Sequence, residues 1–207
     1  MTAFDWTAAI IVIASLMYIS FVLTVRDWLI ALRKGQAVTL LPERDGRARP
    51  FWMQVAMIVL GLAICVPLFA FGWIPLFELS AHARFVAGMI GLILYLAGFV
   101  FVLWARRTLG KYWGISTTLQ VKLFDDHQLI RSGPYAFVRH PMYFGWWVAM
   151  VGLSLLYPVW VVLLLFVFTV VSYLGRARRE EAVLAGRFGK EWVEYKQRTK
   201  FIIPFIY

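Results

Sequence analysis

Apolar residues fall in five long runs, separated by polar connections of very unequal charge. The first run, residues 6–25, is about 30 Å long as a helix, enough to cross a hydrocarbon core. Runs at 52–71 and 85–105 predict two more spans of the same kind. Two shorter runs, 142–157 and 159–175, meet at Pro158 and predict a tight hairpin that crosses and returns, with a re-entrant pair as the alternative. Pro67 predicts a kink in the second span, which membrane helices tolerate where neighbours satisfy the freed carbonyl. Gly91 and Gly98, on one face of the third, predict close helix–helix contact. Beyond residue 175 the pattern becomes amphipathic and basic. It predicts helices over 180–188 and 191–198, with Gly189 as the cap between them and an apolar tail from Phe201. The expected fold is all-α: one domain, 1–207, a polytopic membrane protein of five transmembrane helices with a cytoplasmic helical C-terminal region.

Charge orients these elements. The first and third connections and the C-terminal region hold 20 of the 21 Lys and Arg residues, and Arg84 alone lies elsewhere. Basic residues collect on the cytoplasmic side, so the N-terminus is expected outside and the C-terminus in the cytoplasm. The expected location is the inner (plasma) membrane of a bacterium. The net charge of +10 is thereby a topology signal, with attraction to lipid headgroups, and no nucleic-acid partner is expected.

Composition agrees: 62% of residues are hydrophobic and 15% charged, with a mean hydropathy of +0.74. Soluble domains are about 45–50% apolar and about 25% charged. The single cysteine, Cys65, lies in an apolar run, so no disulfide framework and no cysteine metal cluster is expected. No cleavable signal is recognisable, so the first run is expected to stay in the mature chain.

Polar chemistry is densest where the third connection meets the fourth run. Arg131, Tyr135, Arg139, His140 and Tyr143 crowd a Gly/Pro-punctuated stretch that opens at Leu129 and Ile130 and turns at Gly133-Pro134. The hairpin returns the chain to the same side, so Arg176, Glu180 and Glu181 should lie beside that stretch. Taken singly, these residues have plainer readings: His140 as a helix cap, Arg139 as an interface anchor, Arg176 and Glu180 as a surface i,i+4 pair, Trp146 and Trp147 as an aromatic belt, His82 as loop. Taken together, cations, two adjacent carboxylates and aromatic rings suit a zwitterionic ligand carrying a flat ring.

The run Gly133-Pro-Tyr-x-x-x-Arg-His-Pro-x-Tyr-x-Gly145 strongly resembles the isoprenylcysteine carboxyl methyltransferases and the related phospholipid methyltransferases. The likeness extends through Gln120, His127-x-Leu-Ile-x-x-Gly133, Arg176 with Glu180-Glu181, Phe188-Gly-x-Glu-Trp-x-Glu-Tyr-Lys196 and Ile203-Pro-Phe-Ile206, so it covers about 109–207. It implies S-adenosylmethionine as cofactor, S-adenosylhomocysteine as product, and methyl transfer at the cytoplasmic boundary. It nominates Gln120, His127, Leu129, Ile130, Gly133, Tyr135, Arg139, His140, Tyr143, Glu180 and Glu181 for the cofactor, and Arg176, His140 and Glu181 for catalysis. No metal is implied. The eukaryotic prenyl-protein enzymes have Ser where this chain has Met142, and they carry extra N-terminal spans. The acceptor is therefore left open among lipophilic small molecules and lipid-modified ones, with carboxylate, amine or thiol chemistry, reached from the surrounding membrane lipids. Two alternatives stand beside this reading: an NADPH-dependent sterol or steroid reductase, whose family has Asn at the Met142 position, and a non-enzymatic membrane scaffold.

Overall fold

The computed structural model describes residues 3–23, 26, 29, 52–53, 56, 59–60, 63, 67, 72–112 and 128–206. Most of the predicted second span, most of the first connection, and Gln120 and His127 lie outside the described residues. The described residues are mainly helical, with two isolated β-bridges and no strand ladder among them.

Helix α1, Ala3–Met17, continues as a π-helical segment Tyr18–Leu23, so the first run begins three residues before its predicted start. Helix α2 spans Ala81–Leu109, four residues longer at each end than the predicted 85–105. Ser80 explains the early start, because its hydroxyl accepts the Ala83 N–H at 3.3 Å and caps the helix. His82 therefore belongs to the first turn of α2, which corrects its assignment to loop. At the other end Gly110, at φ +53°, turns the chain out of the helix.

Helix α3, Pro141–Leu156, opens with proline at its first turn, where the missing N–H costs no helical bond. After Tyr157–Val159 the chain reverses into α4, Trp160–Phe188, as the predicted hairpin at Pro158 requires. The boundary placed at residue 175 does not exist. Nothing between Gly175 and Glu180 breaks the helix, and the Arg176–Glu180 pair at 2.9 Å staples that turn. Apolar span and basic extension are one continuous helix. Gly189 then ends it at φ +50°, its N–H bonded to the Ala185 carbonyl at 3.0 Å, and α5 follows at Lys190–Arg198.

Contact between α2 and α3 is backbone to backbone. A Cβ on Gly91 would lie 2.6 Å from the Gly152 carbonyl oxygen, and one on Gly98 would lie 2.5 Å from that of Gly145. Small residues let membrane helices approach this closely, and dispersion contacts then replace lipid. Ala8, Val12, Tyr95, Ala149, Leu156 and Val162 form a core joining α1 to α4. Within it the Tyr95 and Ser15 hydroxyls meet at 2.6 Å.

Two of the described helices, α2 and α4, are long and apolar enough to cross a membrane. Their outer faces expose Ile93, Val100, Leu164, Phe168 and Val171, more apolar surface than a water-facing monomer sustains. At one end of the molecule, Leu76 and Trp160 donate backbone bonds to Pro158 and Ile74, and Arg84 lies 3.6 Å from Asp5. The motif segment, the extension of α4 and α5 gather at the other end.

Candidate active site

Gly133 starts the site. At φ +58° it opens a 3₁₀ turn, Gly133–Ala136, and a Cβ there would meet the Thr108 hydroxyl at 2.9 Å. The turn buries Pro134 and Tyr135, and the Tyr135 carbonyl accepts the Tyr195 hydroxyl at 2.8 Å. The C-terminal tail then lies parallel to the motif. Arg139 N–H donates to the Lys200 carbonyl at 2.9 Å, His140 N–H to Phe201 at 3.1 Å, and Lys200 N–H to Phe137 at 3.0 Å.

His140 holds the N-cap position of α3, yet its side chain makes no capping bond. The imidazole turns toward α4 instead. Its Nδ1 lies 3.4 Å from Glu180 Oε2 and its Nε2 lies 3.6 Å from Glu181 Oε1. Glu180 Oε1 accepts both the Tyr143 hydroxyl, at 2.7 Å, and Arg176 Nε, at 2.9 Å. Arg139 Nε donates to Glu181 Oε1 at 2.5 Å, and Lys196 Nζ lies 3.4 Å from Glu181 Oε2. The rings of His140 and Tyr143 stack 5.5 Å apart at 6°, Tyr173 stacks on Tyr143 at 4.7 Å, and Phe201 meets His140 edge-on. The two polar stretches, some 40 residues apart in sequence, are one cluster.

Burial alone would raise both glutamates and lower His140. Mutual pairing outweighs it. His140 holds Glu180 below the usual carboxylate range, and His140 with Arg139 brings Glu181 down to about 2. The same two carboxylates raise His140 above its ordinary value, which favours imidazolium. Tyr135, buried and beside Tyr195 and Glu180, is pushed well above the normal phenol range. His140 Nε2 is nonetheless a buried nitrogen without a hydrogen bond among the described residues, and Trp147 Nε1 is another. Such atoms cost stability unless something satisfies them.

Of the nominated residues, Tyr135, Arg139, His140, Tyr143, Arg176, Glu180 and Glu181 converge. Leu129 and Ile130 sit half-buried on the approach to the turn. Trp146 and Trp147 pack on the helical core and on the Ala177–Phe201–Ile202 cluster, respectively, and so take part in protein packing beyond an aromatic belt. Sequence reasoning missed Tyr173, Lys196, Thr199 and Phe201. Tyr173, one turn before Arg176 on α4, was findable by helical spacing. The tail was not, because it enters through backbone bonds that carry no side-chain signature.

A mainly helical protein with two long apolar helices and a buried cluster of paired charges at one end is the class these observations define. Residues 89–186 match the model of the isoprenylcysteine carboxyl methyltransferase family. The protein-S-isoprenylcysteine O-methyltransferase of Saccharomyces cerevisiae is 32% identical over 147 residues, covering 70% of this chain and 60% of that protein. The Homo sapiens enzyme of the same name is 36% identical over 83 residues, 40% of this chain and 29% of that protein. The chain thus spans less than two thirds of the length of these relatives. A solved eukaryotic intramembrane Ras methyltransferase, isoprenylcysteine carboxyl methyltransferase, has the same fold at a TM-score of 0.51 and 22% identity, over 86% of this chain and 60% of that one. This chain is similar to the isoprenylcysteine carboxyl methyltransferase family over residues 89–186, a little under half of its length. Neither of these curated relatives is a reductase, and the reductase alternative gains no support.

Proposed function

We propose that this protein is an S-adenosylmethionine-dependent methyltransferase that acts on a lipophilic acceptor at the cytoplasmic edge of the membrane. The observation that carries this reading is the convergence of Arg139, His140 and Tyr143 on Glu180 and Glu181. The donor set fits the cofactor: paired carboxylates for an ammonium or ribose hydroxyl, stacked rings for a base, and an imidazole nitrogen buried without a hydrogen bond among the described residues. When bound, the cofactor supplies an activated methyl group on sulfonium sulfur.

The chain's own residues bind, orient and keep water out. Glu180 and Glu181 hold the donor's cationic and hydroxyl groups. Gln120, His127, Leu129, Ile130, Gly133 and Tyr135 are assigned to the cofactor on the resemblance. Arg176, at the membrane end of the cluster, orients an anionic acceptor, and Phe201 with Ile202 closes the side facing water. Water exclusion and in-line positioning are most of what an activated methyl requires. A carboxylate acceptor needs no base. For an amine or thiol a base must take the proton; the pairing that favours the imidazolium form of His140 makes it the poorest choice and leaves His127 or one of the glutamates. The relatives' names favour a prenylcysteine carboxylate or a similar lipid-modified acid. Five spans are proposed on the apolar runs, and an outside N-terminus with a cytoplasmic C-terminus on the distribution of basic residues.

Incubating purified protein with radiolabelled methyl donor and total membrane extract should label a lipophilic product. No labelled product, together with no S-adenosylhomocysteine binding by calorimetry, would refute the reading.

A further inference from the structure

The family resemblance makes Arg139 a cofactor contact, but two of its three guanidinium nitrogens are already committed within the protein. Nε is bound to Glu181, and one terminal nitrogen donates to two carbonyls, Thr199 at 2.6 Å and Lys196 at 3.3 Å. The guanidinium carbon lies 5.6 Å from the centre of the Phe201 ring, and the side chain is only 7% exposed. Lys196 belongs to the last turn of α5, where carbonyls lack partners within the helix. Arg139 therefore satisfies the end of α5, the start of the tail and one carboxylate oxygen at once. Only arginine, with five donors in a rigid fork, spans such a set. The arrangement leaves Glu181 Oε2 on the side of Lys196, which is half exposed. That oxygen, 3.4 Å from Lys196 Nζ, is the one Arg139 does not engage.

We infer that Arg139 is a positioning residue and that the tail segment 199–202 is a working part of the site: Arg139 locks the tail beside the motif and thereby aims Glu181. This rests on the proposed cofactor site and assigns Arg139 a different role within it. Three backbone bonds between 137–140 and 200–201 run alongside the lock, so the tail and the motif hold each other in register. Beyond Pro204 the chain leaves this contact, and Phe205 and Ile206 are 83% and 77% exposed.

The test is S-adenosylhomocysteine binding by calorimetry between pH 4 and 8, on the full chain in detergent and on its variants. Arg139→Gln, and separately a chain ended after Arg198, should each lose at least ~10-fold in affinity. Combining them should add little, because both break one linkage. Arg139→Gln should also move the acid limb of binding upward in pH, since Glu181 loses a neighbour that holds its carboxylate ionised. Arg139→Lys should restore that limb, which needs only charge, and leave the affinity low, because an ammonium cannot span both carbonyls. A chain ended after Pro204 should bind like the full chain. If Arg139→Gln does not fold, the chain ended after Arg198 and Arg139→Lys carry the test. Unchanged affinity and pH profile in Arg139→Gln, or additive losses in the combined variant, overturn the inference. If the full chain binds no S-adenosylhomocysteine, the proposed function fails instead. The lock is then read by hydrogen exchange at the Lys200 amide, which Arg139→Gln should accelerate if the inference holds and leave unchanged if it does not.

Discussion

At the scale of single residues, the site is a balance of charges that each need the others. His140 is pulled toward its charged form by two carboxylates, and Glu181 is held ionised by His140 and Arg139. The pH dependence follows from the two directions. The contribution of Glu181 is present above the ordinary value of 4.5 and is lost as pH falls toward about 2. That of His140 is complete below its ordinary 6.5 and disappears as pH rises through its higher folded value. Thermal stability in detergent should therefore be greatest between these limits. The decline on the alkaline side should vanish in His140→Asn, and a decline of the same midpoint in that variant would exclude His140 as its source. Tyr143→Phe removes one donor to Glu180 and should cost about 1.5–3 kcal/mol, the usual worth of a hydrogen bond to a charged group. Chemical denaturation in detergent measures it, and a loss below ~0.5 kcal/mol would show the bond is idle.

At the scale of elements, two glycines with opposite surroundings make opposite predictions. Gly98 presses on the backbone of α3, so Gly98→Val forces α2 and α3 apart and should destabilise by about 1–3 kcal/mol or more. Gly186 lies in the extension of α4, where a Cβ would have nothing within 4 Å among the described residues, so Gly186→Ala should stabilise by about 0.4–1 kcal/mol. Unfolding of both variants in the same detergent checks the pair, and equal effects would mean that α2 and α3 do not meet as described. The continuity of α4 matters for the site. Because the span runs unbroken into Arg176–Glu181, the position of the glutamates is fixed by a rigid rod packed on α3. A flexible hinge at residue 175 would let the carboxylates drift from His140.

At the scale of the whole molecule, the two ends differ in charge as well as in content. One gathers Asp5, Arg84, residues 72–80 and the α3–α4 turn, while the other gathers the motif, the extension of α4 and α5. Opposite ends should lie on opposite sides of the membrane. With Cys65→Ser as background, a membrane-impermeant thiol reagent applied outside should modify Glu78→Cys and spare Glu194→Cys in intact cells. Labelling of both from one side would overturn the proposed orientation.

The described helices, and most of the residues that cluster, were legible in the amino-acid order. Runs of apolar residues can be satisfied only by helices in lipid, Pro141 and Gly189 mark helix ends through their own backbone preferences, and the hairpin at Pro158 obliges Arg139–Tyr143 and Arg176–Glu181 to share an end. The resemblance then named their chemistry. What each side chain holds emerged only from the packing of distant segments. Arg139 faces a tail 60 residues away, Tyr143 and Arg176 divide one oxygen of Glu180, and α4 runs straight through the predicted boundary at residue 175. The physical reason is that local pattern records a residue's preference for lipid or water, whereas a hydrogen bond depends on distances of a few tenths of an ångström between segments whose separation along the chain no pattern encodes.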